Sequence, residues 1–234
     1  MKILITGTSS GIGYGLAVNY LEHGHVVYGI SRHHNEKLDK QKNFHFLSQD
    51  ITEFDYAKLN ISNFLKEAKR FDLVILNAGI LNDIKDMEET EIEELRESMD
   101  VNVWGNKVAL DAALAMTKVT QVVAISSGAA VNGNRGWNAY AISKAAFKMV
   151  ISLYAQEAPD THFSSVAPGL IHTNMQDYIT SLPDDKRFPS IDRLKAAKGT
   201  SEMPEPEEAA SMLVEKFEKA LKHESGAFLD VRTM

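Results

Sequence analysis

Short apolar runs alternate along the chain with stretches in which apolar positions recur every three or four residues. The runs Ile3–Ile5, Val26–Ile30, Phe44–Leu47, Leu73–Leu76, Val122–Ile125 and Phe163–Val166 are three to five residues long and rich in β-branched and aromatic side chains. That length and composition predict strands rather than buried helices. Ala227–Leu229 is a weaker seventh strand. Most of these runs are apolar at consecutive positions, as strands covered on both faces should be.

The intervening stretches predict helices. Ile12–His23 ends before Gly24, which suits a C-cap. Thr90-Glu91-Ile92-Glu93 fits a capping box opening one long helix through about Met116. Asn138–Glu157 stops before Pro159, and Pro206 suits the first turn of a helix over Glu207–Lys222. Alternating strand and helix imply a parallel sheet with helices on both faces, in a single domain over residues 1–234. Right-handed crossovers then favour a doubly wound, three-layer α/β/α architecture of about seven strands. The least regular segment, about 170–206, holds four of the six prolines and is expected to act as a lid, a decorated loop being the alternative. Met175, Tyr178, Ile179 and Phe188 would give it an apolar face; inward packing of the same side chains is the alternative.

Composition adds exclusions. The chain has no cysteine, so disulfides, thiolate metal sites and cysteine nucleophiles are out. A net charge of −7 argues against a sequence-independent grip on nucleic acid. No apolar run approaches the roughly 18 residues of a membrane span. The opening Met1–Gly7 is too short for a signal segment, so a cytoplasmic location is expected. His23/His25 and His33/His34 lack a third ligand at recognisable spacing, and no metal is expected.

The chemistry begins after the first strand. Thr6-Gly7-Thr8-Ser9-Ser10-Gly11-Ile12-Gly13 leads from strand to helix with the spacing G-x-x-x-G-x-G. Glycines let the backbone approach a pyrophosphate, and a helix N-terminus offers it free N–H groups. Tight strand–helix packing is the plainer use of the same glycines. The second strand ends at Ser31-Arg32, eighteen residues beyond Gly13, where an NAD site usually carries an acid for the ribose 2′-OH. An arginine there suits the 2′-phosphate of NADP; a solvated loop arginine is the alternative. Tyr140 and Lys144 stand one helical turn apart, so the ammonium can lower the phenol's pKa. Ser126 and Ser127 end the fifth strand, at the edge where ligands bind in open parallel sheets.

In this order the motifs resemble those of the short-chain dehydrogenase/reductase family, in its compact single-domain form. The resemblance implies a Rossmann sheet ordered 3-2-1-4-5-6-7. It implies a nicotinamide cofactor on Gly7, Ser9, Ser10, Gly11, Ile12 and Gly13, on Ser31 and Arg32, and on Asp50 and Ile51 after the third strand. Asn77-Ala78-Gly79, Tyr140 and Lys144, and Pro168, Gly169, Ile171 and Thr173 would complete that site, with Thr173 at the nicotinamide carboxamide. Asn102, Ser127, Tyr140 and Lys144 match the family's catalytic residues, and Asn102 would anchor a water that links Lys144 to solvent. Leu76 stands where many relatives carry a second asparagine, and Ser10 where some NADP-dependent ones carry a basic residue. NADP preference therefore leans on Arg32, with help from His33 or His34. The implied activity is reversible hydride transfer between NADP(H), preferred over NAD, and a carbonyl or secondary alcohol, in a homodimer or homotetramer. An NADP(H)-sensing regulator and an epimerase or dehydratase using bound NAD(P) are the alternatives; the four catalytic positions argue against the first and the length against the second.

Overall fold

The computed structural model describes residues 1–234. Seven strands, β1 (Lys2–Thr6), β2 (Val26–Ser31), β3 (Phe44–Ser48), β4 (Arg70–Leu76), β5 (Lys118–Ile125), β6 (His162–Ala167) and β7 (Ala227–Asp230), form one parallel sheet in the order β3-β2-β1-β4-β5-β6-β7. The helices are α1 (Gly11–Glu22), α2 (Glu36–Asp39), α3 (Phe54–Leu65), α4 (Ile92–Met99), α5 (Asn106–Met116), α6 (Asn138–Glu157), α7 (Asn174–Ser181), α8 (Pro189–Ala197) and α9 (Pro206–Ala220). The expected doubly wound sheet and its strand order are both observed.

The central strands are apolar on consecutive residues because both of their faces meet helices. Ile3 and Ile5 of β1, and Leu73 and Ile75 of β4, face α1 and α9, where they bury Leu16, Ala17, Leu213 and Phe217. Leu4, Val74 and Leu76 face the opposite layer, with Ile61 and Leu65 of α3, Leu110 of α5, and Phe147 and Ile151 of α6. At Gly15 a Cβ atom would lie 2.3 Å from the carbonyl oxygen of Pro206. This glycine therefore lets α1 and α9 touch, rather than α1 and a strand.

Three elements differ from expectation. The helix from Thr90 to Met116 is two helices joined by a π-helical turn over Asp100–Gly105. Its cap is Glu91, not Thr90: the Glu94 carboxylate accepts from the Glu91 N–H at 2.9 Å while Glu91 caps the first turn. Gly105 lets the turn press on the β3–α3 loop, since a Cβ there would sit 2.6 Å from the Ile51 side chain. Helix α3 went unforeseen because its apolar residues point both ways. Ala57, Ile61 and Leu65 are buried, while Tyr56 and Leu59 are 70% and 59% exposed. The proline-rich segment contains α7 and α8, which close a small core of their own around Ile179, Phe188, Ile191 and Leu194. No helix is long and apolar enough to cross a membrane.

Candidate active site

The C-terminal edge of the sheet opens into a cavity of about 780 Å³. Its first wall is the glycine loop. Gly7 has φ +77° and donates its N–H to Ile30 O at 2.7 Å. Gly13 lies directly beneath, where a Cβ would come within 2.2 Å of Gly7 O. The Thr6 hydroxyl accepts from the backbone N–H groups of Asn77 (2.9 Å) and Ala78 (3.1 Å) and donates to Asn106 Oδ1 (2.8 Å). Asn77 Nδ2 in turn donates to Thr6 O and Gly7 O at 3.0 and 3.1 Å. The loops after β1 and β4 are thus stapled into one rim. Ser10, the N-cap of α1, makes no side-chain cap bond, and the first turn holds no acid. Free N–H groups of α1 at this rim suit an anion.

Gly7, Ser9, Ser10, Gly11 and Ile12 line the cavity, while Gly13 supports it from below. Ser31, Arg32, Asp50 and Ile51 line its far end. Arg32 and Asp50 form a loose pair at 4.0 Å. Burial pushes the Asp50 carboxyl up, but hydrogen bonds from the N–H and hydroxyl of Thr52, helped by the Arg32 charge, outweigh it and hold the group below its ordinary value. Ser31 Oγ already donates to His33 O at 3.0 Å. His33 lines the cavity, whereas His34 turns away to pair with Asp39 at 3.0 Å and so is not one of the basic groups there. Asn77, Ala78 and Gly79 form one side of the middle, and Pro168, Gly169, Ile171 and Thr173 the other. Thr173 caps α7 and overhangs the glycine loop, its methyl 3.2 Å from where a Cβ of Gly11 would be.

Ser127, Tyr140 and Lys144 meet at the near end. Lys144 Nζ lies 5.7 Å from the Tyr140 ring centroid and donates to Ile125 O at 2.9 Å. Burial raises the Tyr140 phenol above its ordinary value, and the neighbouring Ser127 hydroxyl opposes that rise. Burial also pushes the Lys144 ammonium down to about 8. The sequence suggested that Lys144 would depress Tyr140; here desolvation decides instead, because both groups lose water and neither has a carboxylate beside it.

Asn102 is the one expected catalytic position that does not line the cavity. The π-helical turn aims its side chain at Ile80, whose N–H it accepts at 2.7 Å and whose carbonyl it meets at 3.0 Å. Its amide also donates to Ser143 Oγ at 2.9 Å, and Ser143 donates to Tyr140 O at 2.8 Å. Asn102 therefore ties the β4 loop to the Tyr140 turn of α6. Thr6, Asn106 and Ser143 carry this polar framework and were missed in the sequence. A lone polar residue ending an apolar strand, and an asparagine four residues after Asn102, were the available signals.

In the proline-rich segment the inward alternative holds for two of the four named residues. Ile179 and Phe188 point inward to the small core, and Tyr178 donates its hydroxyl to Asp83 at 2.6 Å. Of the four named residues, Met175 lines the cavity. Asn174 and Gln176 of α7 line the same wall, as does α8, whose Ser190 accepts from Trp137 Nε1 at 2.9 Å. Asp86 holds the lid from outside, paired with Arg135 at 2.5 Å and Arg187 at 3.1 Å.

The depressed Lys144 predicts a pH signature in the nucleotide-free protein. Between about pH 8 and 10 the unfolded chain keeps a lysine proton that the folded chain has lost. Stability should therefore rise with pH there, by at most about 1.4 kcal/mol per unit. Above pH about 10 the raised phenols of Tyr140, Tyr20 and Tyr154 reverse the slope, because the unfolded tyrosines ionise first. Urea unfolding across this range checks it: Lys144→Met should flatten the rise, and an unchanged slope contradicts the assignment.

A family model for the short chain dehydrogenase matches residues 1–183. The chain is a short-chain dehydrogenase/reductase. A benzil reductase ((S)-benzoin forming) of Bacillus cereus is 29% identical over 228 residues, covering 90% of this chain and 91% of that protein. An uncharacterized oxidoreductase of Schizosaccharomyces pombe is 34% identical over 181 residues, covering 74% and 72%. Among solved structures, a short-chain dehydrogenase/reductase of Saccharomyces cerevisiae superimposes with TM-score 0.82 at 25% identity, covering 98% of this chain and 95% of that one. This short-chain dehydrogenase is accordingly an NAD(P)-dependent oxidoreductase. The uncapped α1 terminus and the glycine loop, which Gly7 and Gly11 turn at positive φ and which rests directly on Gly13, fit such a dinucleotide.

Proposed function

We propose that the enzyme reduces a ketone or aldehyde with NADPH, and runs in reverse on the corresponding alcohol, with Tyr140 as the acid. The observation that carries this reading is the convergence of Ser127, Tyr140 and Lys144 on one wall of the cavity that the glycine loop opens. When bound, the nicotinamide supplies or accepts the hydride. The hydroxyls of Ser127 and Tyr140 donate hydrogen bonds to the carbonyl oxygen, where negative charge grows as reduction proceeds. Tyr140 then gives up its proton. A buried neutral phenol suits that task, since it is fully protonated at neutral pH. Lys144, still mainly protonated there at about 8, places a positive charge beside the phenolate as it forms. Asn102 and Ser143 hold the Tyr140 turn in place and so act as positioning residues.

Arg32 supports NADPH over NADH. It is the exposed guanidinium at the end of β2, and its partner Asp50 is engaged by Thr52. The Bacillus cereus relative is a benzil reductase, which supports a ketone substrate. NADPH and NADH oxidation should be followed over a panel of aldehydes and ketones that includes benzil. Activity with NADPH is expected, and no turnover of any member with either nucleotide overturns the reading. In Arg32→Asp the NADPH-to-NADH ratio of kcat/KM should fall about 10–100-fold, since charge-assisted hydrogen bonds are worth about 1.5–3 kcal/mol. An unmoved ratio removes Arg32 from cofactor choice.

A further inference from the structure

We propose that the carbonyl substrate carries an oxyanion group, such as a carboxylate, held by Arg193 of α8. The inference rests on the reading above and narrows its substrate class.

Charge is the first observation. The chain as a whole carries −7, yet its cavity is lined by Arg32, Lys144, Arg193 and Arg232 against the single carboxylate of Asp50. Clefts lined by one sign of charge concentrate ligands of the other. The nucleotide's own phosphates answer for part of this field, at the glycine loop and at Arg32. The remainder lies at the other end.

Pairing is the second observation. Arg32 faces Asp50, Lys144 donates to Ile125 O, and Arg232 is held bidentate by Asp230 at 2.8 and 2.5 Å. Arg193 alone among them makes neither an ion pair nor a hydrogen bond. Its neighbours on the lid do find acids: Lys195 binds Asp184 and Lys198 binds Asp177, each at 2.5 Å. Every other arginine of the chain has an acid within 4.0 Å; Arg193, exposed on the cavity wall, has none.

Position is the third. Arg193 stands three residues after Ser190, on the same face of α8. Ser190 is bound to Trp137, whose ring centroid is 6.0 Å from that of Tyr140. Arg193 therefore shares a helix face with the residue that anchors Trp137 beside Tyr140, and all of them line the same cavity. A guanidinium offers a planar fork that a carboxylate matches with two parallel hydrogen bonds.

The test compares two probes that share one ketone, 2-oxo-2-phenylacetate and its methyl ester. Each is measured for kcat/KM with NADPH, and for Kd in the NADP⁺ complex through tryptophan fluorescence. The acid should exceed the ester at least tenfold in both measures. Arg193→Gln should bring the ratio close to one, Arg193→Lys should keep part of it, and Arg193→Glu should invert it. The proposal is overturned if the ester equals or exceeds the acid, if Arg193→Gln keeps the acid preference, or if the acid does not bind. Reduction of the ester or of benzil without acid preference would sink the anionic substrate alone. Absence of turnover with every ketone would sink the reductase reading, and the Kd ratio would still decide this one.

Discussion

Tyr140→Phe should lower kcat by about 10³-fold or more while leaving the Kd for NADPH within about threefold. General acid catalysis by a positioned side chain contributes about 10²–10⁴-fold, and this change also removes one of the two donors proposed for the carbonyl oxygen. What it leaves is equally specific. The ring is 8% exposed and packs beside Trp137, so phenylalanine fills the same volume. The backbone bond from Ser143 to Tyr140 O is untouched, so the Asn102–Ser143 tie still positions the helix. The lost hydroxyl faces Ser127, which keeps the N–H of Ala129 at 3.1 Å, so stability should move by about 1 kcal/mol or less. Steady-state kinetics and a fluorescence titration separate the two effects. Turnover within tenfold of the parent enzyme would remove Tyr140 from the role of acid. Loss of nucleotide binding in proportion to turnover would instead make the tyrosine part of the binding surface.

The sheet was legible because its strands meet helices on both faces. Consecutive apolar residues such as Leu73-Val74-Ile75-Leu76 admit few other arrangements, and the two core layers divide them alternately. Residues whose chemistry depends on spacing along one element were legible too: Tyr140 and Lys144 share a helical face wherever that helix lies. What depends on direction or burial was not. Helix α3 hid because Tyr56 and Leu59 face water and blur the period of Ala57, Ile61 and Leu65. No local sequence rule separates the Asp100–Gly105 turn from an ordinary helix, yet that turn sends Asn102 to Ile80 and Ser143 rather than to the cavity. Ile179 and Phe188 look the same in sequence whether they line a cavity or close a core beside it. The direction of the Tyr140 shift follows from burial, which a Tyr/Lys spacing does not contain. Arg193 is one of 25 basic residues in the sequence, and only its surroundings show that it lacks the acid its neighbours have.

These lessons meet at Gly13, where one added methyl group tests fold and site together. Gly13→Ala should destabilise the protein by about 3 kcal/mol, lowering Tm by about 6–12 °C, and should weaken nucleotide binding at least about 100-fold, since each 1.4 kcal/mol is tenfold. Its backbone conformation is not the reason, because Gly13 lies within α1 at an ordinary negative φ. Space is the reason. The new Cβ would meet Gly7 O at 2.2 Å and Asn77 Nδ2 at 2.5 Å, both far inside van der Waals contact. Gly7 cannot simply retreat. Its N–H is bound to Ile30 O at 2.7 Å, and its carbonyl accepts from Asn77 at 3.1 Å. Asn77 is fixed in turn by the Thr6 hydroxyl. Relief therefore has to lift the loop from the helix, which breaks the staple between β1 and β4 and moves the N–H groups offered to the pyrophosphate. Gly133→Ala is the matched control: no atom lies within 4 Å of a Cβ there and φ is not positive, so Tm should hold or rise slightly. Thermal unfolding and nucleotide titration of both variants decide the matter. A Gly13→Ala protein as stable and as tightly bound as its parent would mean that the loop does not rest on α1, and the cradle would have to be placed elsewhere.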